Sequence, residues 1–146
     1  MNTNKILMGG IAGGVALFLL GWVFYGMLLM DFMANNAGTA TGVMKAQNEM
    51  QMWGLVLGNL AYGFLLAIIF GRWATSRSGW YSGARAGFVI GLLTGISIDF
   101  SMYATTNIYN MNAVLADIVA WTLMSAIAGA VVAWVMGMGK AEPATA

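Results

Sequence analysis

Apolar residues in this chain come in four long blocks separated by short polar stretches, not at the spacing of a one-sided helix or strand. The blocks run Ile6–Met30, Met52–Phe70 with an extension to Trp73, Ala86–Tyr103 or Ala104, and Ala113–Met138. Each is close to or above the roughly 20 residues needed to cross a ~30 Å hydrocarbon layer at ~1.5 Å per residue. Inside a bilayer no water satisfies the backbone N–H and C=O groups, so each block is expected to be helical. The predicted fold is all-α: a transmembrane bundle of four helices forming one membrane domain over residues 1–146. No polar stretch is long enough for a second domain, which needs about 50 residues.

The first block follows Lys5 and has the outline of a cleavable signal. It runs 25 residues, from 6 to 30, whereas a signal core takes about 7–15, so it reads as a retained span.

The polar stretches set the expected orientation. Lys5, Arg72, Arg77, Arg85 and Lys140 fall on one side and Lys45 alone on the other, which accounts for all 6 basic residues. This bias places both termini and the 74–85 connection in the cytoplasm. Trp73, Trp80, Tyr81 and Trp134 would then line the inner interface, with Trp53 and Tyr109 at the outer one. The outer connection 31–50 is long and polar, and Thr41 within it is a candidate N-cap, so half of it is expected to be helical. The second outer connection, 105–112, is a tight turn carrying Asn107, Asn110 and Asn112.

Composition narrows the chemistry. Charged residues make up 8% of the chain and hydrophobic ones 60%, far from a soluble domain, where about a quarter are charged. A net charge of +1 offers nucleic acid no electrostatic footprint. Without cysteine there is no thiolate nucleophile or thiolate metal site. Without histidine the commonest general base and metal ligand is missing. The 13 methionines read as gap-filling core residues. Neither a cofactor nor a metal is expected.

Small residues recur at helical spacing. In the third block Gly83, Gly87, Gly91 and Gly95 are four apart and share one helix face. The first block carries a doubled version, Gly9/Gly13 and Gly10/Gly14, and the second carries Gly54/Gly58. Such glycine-zipper faces admit a neighbouring backbone closely, which is how helices associate in lipid. In the fourth block Asp117, Trp121, Ser125, Gly129, Ala133 and Gly137 follow at the same spacing.

Asp99 is the next member of the third-block stripe. Asp99 and Asp117 stand nine residues either side of Ile108 (108 − 99 and 117 − 108), so an antiparallel hairpin sets them at one depth, ~8–12 Å inside the outer end. An intramembrane carboxylate is a candidate functional site by default. As neighbours, the two would share a proton under mutual repulsion and loss of water. Asn59 is expected at a similar depth, with Ser97 nearby and Lys45 folding over as counter-charge. The alternative role for this cluster is structural polar glue, with Asp117 stabilised by the dipole of its helix N-terminus. Ser97 and Ser101 have no general base beside them, and no phosphate loop follows the glycines.

Two internal parallels, 57–60 with 115–118 and 31–32 with 99–100, suggest two duplicated helical hairpins. The stretch Gly21-Trp22-Val23-Phe24-Tyr25-Gly26, in a four-span chain, resembles small uncharacterised bacterial four-span membrane families. The resemblance covers mainly the first helix and the topology, and implies a bacterial inner-membrane setting. The leading expectation is a non-catalytic accessory or assembly subunit, or a homo-oligomer, packed through its glycine faces against other membrane helices. The second is a small ion or proton channel or proton-coupled transporter working through the intramembrane carboxylates. A membrane enzyme has the least behind it.

Overall fold

The computed structural model describes residues 3–72 and 79–137. Four helices in it are long and apolar enough to cross a membrane, and they pack as an all-α bundle. The protein is a multi-pass membrane protein in contact with lipid. Helix α1 (Thr3–Val23) runs without a break into a π-helical turn at Phe24–Leu28, and a short helix α2 follows at Met30–Asn35. The remaining spans are α3 (Met52–Arg72), α4 (Trp80–Thr105) and α5 (Met111–Gly137). The predicted ends at Trp73 and Met138, and the basic residues Arg77 and Lys140, lie outside the described residues.

Three boundaries differ from the sequence pattern. The third span starts at Trp80, six residues before Ala86, because the small and aromatic residues ahead of Arg85 continue the helix. Arg85 tolerates that position by reaching over the Tyr81 ring, 5.9 Å from its centroid. Asp31, expected in a loop, lies in the first turn of α2. The 37–51 segment is not half helical: Thr41 caps nothing, and the segment holds only a 3-10 turn at Gln47–Glu49. Its backbone groups pair instead with the other connection at the same end. Helix α5 opens with an asparagine cap, Asn110 Oδ1 accepting from the Ala113 N–H at 3.1 Å.

Helix α4 packs along α5, and α1 along α3; α1 also lies against α5 and joins the two pairs. Leu17, Leu66, Ala67, Met124, Ala128 and Val132 form the buried core. Because lipid is as apolar as leucine, contact between backbones sets which helix faces meet. The four glycines of α4 are all buried. A Cβ at Gly83 would strike Gly129 and Ala133, one at Gly87 the Ser125 carbonyl, and one at Gly91 the Ser125 side chain. Gly95 faces Trp121 and Ile118, and Gly129 faces Gly83 and Gly87 in return.

The doubled stripe of α1 serves two neighbours. Gly9 and Gly13 face Met136 and Val132 of α5, while Gly10 and Gly14 face Phe64 and Leu60 of α3. At the α1–α3 crossing lies Gly63, whose added Cβ would run into the backbone of Gly10 and Gly14. Gly54 and Gly58 differ from all of these: among the described residues a Cβ at either meets nothing within 4 Å.

Candidate carboxylate site

The α4 groove fixes the direction of Asp99. One turn beyond Gly95, it continues the face that looks at α5, and Asp117 stands one turn before Trp121 on the facing stripe. The two carboxyl groups are close enough to act on each other electrostatically. They line a recess together with Met102, Tyr103, Thr106, Tyr109 and Val114. It is small, with room for about one water molecule, and is partly open to solvent. Two carboxylates so placed only accept hydrogen bonds and repel each other, so the pair favours a shared proton or a cation between them. Asp99 Oδ2 is buried and has no hydrogen-bond partner among the described residues. An orphaned oxygen in a membrane span is costly, and such groups are retained where they serve a site.

Two tyrosines attend the pair. Tyr25, in the π-helical turn, sets its hydroxyl beside Asp117. The turn is closed by the Leu29 N–H donating to the Phe24 carbonyl at 2.7 Å, and π-turns recur at functional sites. Tyr109, in the connection at the end of the spans, is half-buried and lines the recess. Burial, then the nearby Asp117 and Asp99, hold its phenol above the usual tyrosine range.

The other residues singled out from the sequence do not join the pair. Asn59 turns its Nδ2 back to the Leu55 carbonyl of its own helix, at 2.7 Å. Ser97 is exposed on α4, where its carbonyl accepts from Ser101 Oγ at 2.6 Å. Lys45 is exposed in the long connection and is not among the residues lining the recess. The anticipated counter-charge is therefore replaced by two neutral phenols. Equal depth was a sound guide for the hairpin α4–α5, whose turn fixes the register, but not for α3, which belongs to the other pair.

Deeper in the bundle a second polar group joins three helices. Trp121 Nε1 donates to Thr94 Oγ1 at 3.1 Å, and Ser125 Oγ donates to the Tyr62 hydroxyl at 3.2 Å. Tyr62 and Thr94 hydroxyls are 3.3 Å apart. Thr94 spends its one proton on the Ile90 carbonyl at 2.8 Å, so Tyr62 is the donor between them. The Tyr62 and Trp121 rings meet edge to face with centroids 4.7 Å apart. The sequence signal for this layer was modest: Trp121 and Ser125 are four and eight residues past Asp117, and Thr94 precedes a stripe glycine. Thr94→Val removes the shared acceptor and strands two donors. It is expected to cost about 1–3 kcal/mol, readable as a lowered midpoint in reversible detergent unfolding, while Ser97→Ala on the exposed face leaves the midpoint unchanged.

Among the described residues, no three His, Cys, Asp or Glu side chains converge as a metal-binding group. The chain matches no family of known proteins, and no curated protein or solved structure is detectably similar to it.

Proposed function

We propose that this small polytopic membrane protein is non-catalytic and works by reversible occupancy of the Asp99–Asp117 pair by a proton or small cation, as a channel or proton-coupled transporter would. The carrying observation is the recess itself, where two intramembrane carboxyl groups face each other with one buried oxygen unpartnered. Most of the glycine faces are taken up inside the bundle, which weakens the case for assembly as their purpose. The basic-residue bias supports a cytoplasmic location for both termini, so the recess would open to the outer face of a bacterial inner membrane. The hydroxyl layer of Tyr62 on α3, Thr94 on α4 and Ser125 on α5 lies deeper in the bundle and offers groups that can hand a proton inward.

The test is ion flux in proteoliposomes holding the full chain, with an internal pH indicator and an imposed proton or sodium gradient. The wild-type protein is expected to dissipate one of these gradients, and Asp99→Asn to remove that activity. Flux that survives the substitution unchanged, or no flux from the wild type under either gradient, counts against the proposal.

One observation favours a second reading, an accessory or self-associating subunit. The Gly54/Gly58 face of α3 is uncovered, with Trp53 and Leu57 exposed beside it. Under that reading Gly58→Leu shifts the protein to a smaller particle in gentle-detergent sizing; under the first reading the particle size is unchanged.

A further inference from the structure

The recess is roofed from the 106–110 connection, which supplies Thr106 and Tyr109. That connection does not stand alone. The carbonyl of Asn36 accepts from the Asn110 backbone N–H at 3.1 Å. Its side-chain Oδ1 accepts from Asn110 Nδ2 at 3.2 Å and from Asn112 Nδ2 at 3.3 Å. Beyond it the Gly38 N–H donates to the Ile108 carbonyl at 2.8 Å, and the Ala40 N–H to the Asn107 carbonyl at 3.0 Å. Ala37 and Tyr109 pair as an antiparallel bridge. Gly38 fits because a Cβ there would strike the Asn107 carbonyl. Farther on, the Tyr109 hydroxyl meets Met44 Sδ at 3.9 Å.

We propose that residues 36–44 form a strap that gates solvent access to the Asp99–Asp117 pair by holding the Tyr109 roof in place. The strap has the properties a gate needs. Apart from the one to Asn112 in the first turn of α5, its bonds lie outside the helices, and all engage exposed or half-buried groups, so they can open while the packed spans stay intact. Asn36 concentrates three of them on one residue, so opening is concerted. Tyr109 is both the roof and the bridge partner of Ala37, which ties strap position directly to the recess.

The proposal rests on the reading of the pair as the site, so its test reads access alone. The full chain in lipid nanodiscs is treated with a water-soluble carbodiimide and an amine, and labelling of each carboxyl group is followed by peptide mass spectrometry. Asp31 and Glu49, outside the recess, serve as internal references. Asn36→Ala is expected to speed labelling of Asp99 and Asp117 about tenfold, as the loss of one or two net hydrogen bonds would. Because the natural chain has no cysteine, Ala40→Cys with Asn107→Cys makes a single reversible tie between strap and connection that leaves Tyr109 in place, at backbones already joined by the Ala40 N–H donating to the Asn107 carbonyl at 3.0 Å. Its oxidised form is expected to label more slowly than its reduced form, a comparison that holds even if Asn36→Ala folds poorly. Equal labelling of oxidised and reduced forms overturns the gate. Labelling that responds while flux ignores Asp99 overturns the proposed function and leaves the gate standing.

Discussion

Replacing Gly87 with alanine is expected to destabilise the bundle by about 2–3 kcal/mol, and Gly63→Ala by at least as much. In both cases the new methyl group meets backbone: the Ser125 carbonyl for Gly87, and Gly10 and Gly14 for Gly63. A side-chain tip could turn aside, but a backbone can yield only if the helices separate. Separation along α4–α5 would also pull Gly91 from Ser125 and loosen the neighbouring hydroxyl layer. Gly58→Ala supplies the control. Its methyl group enters open space, so the substitution is expected to stay within about 0.5 kcal/mol of the parent, or to gain slightly from helix propensity. Reversible unfolding in mixed micelles measures all three. Equal losses at Gly58 and Gly87 would mean that the α3 face is covered in the functional protein.

The second large effect concerns the carboxylates together. Asp99→Asn and Asp117→Asn are each expected to lower flux by at least about tenfold, or about 1.4 kcal/mol of lost stabilisation, and the double substitution to lower it no further. Two groups that share one proton act as a unit, so removing either member removes the function of both. Losses that multiply in the double variant would assign the two residues independent roles. Tyr25→Phe should produce a partial loss, because it removes the hydroxyl beside Asp117 while leaving the pair itself.

Much of this arrangement is legible in the sequence, and the reasons differ from residue to residue. The spans can be read because lipid imposes length and apolarity on every crossing helix. Asp99 and Asp117 face each other because the hairpin turn at 106–110 fixes their register, and equal spacing from Ile108 is visible without coordinates. Glycine spacing tells which residues share a face but not whether a neighbour occupies it. Gly54/Gly58 and Gly9/Gly13 look alike in sequence, yet one pair meets open space and the other meets α5. Asn59 is drawn to the pair by depth, Ser97 by closeness along the helix and Lys45 by charge; none of these fixes the angle around a helix or the path of a loop, and none of the three lines the recess. The strap is illegible for a different reason. Asn36 finds its partners 74 and 76 residues away, so no local propensity announces it, and Thr41 instead advertises a helix that does not form. Tyr25 and Tyr62 read as ordinary apolar-span residues until the helices that receive their hydroxyls are in place.

The central claim is that Asp99 and Asp117 hold one exchangeable proton or cation between them in a recess reached from one end of the bundle. Infrared difference spectroscopy of the protein in lipid, recorded across a pH step in water and in heavy water, reads this directly. The predicted result is a single protonated-carboxyl stretch that shifts on deuteration within the experiment, responds to the pH step, and disappears in both Asp99→Asn and Asp117→Asn. A spectrum with no such band, or with one that neither exchanges nor depends on these two residues, would contradict the account and leave the pair as structural polar glue.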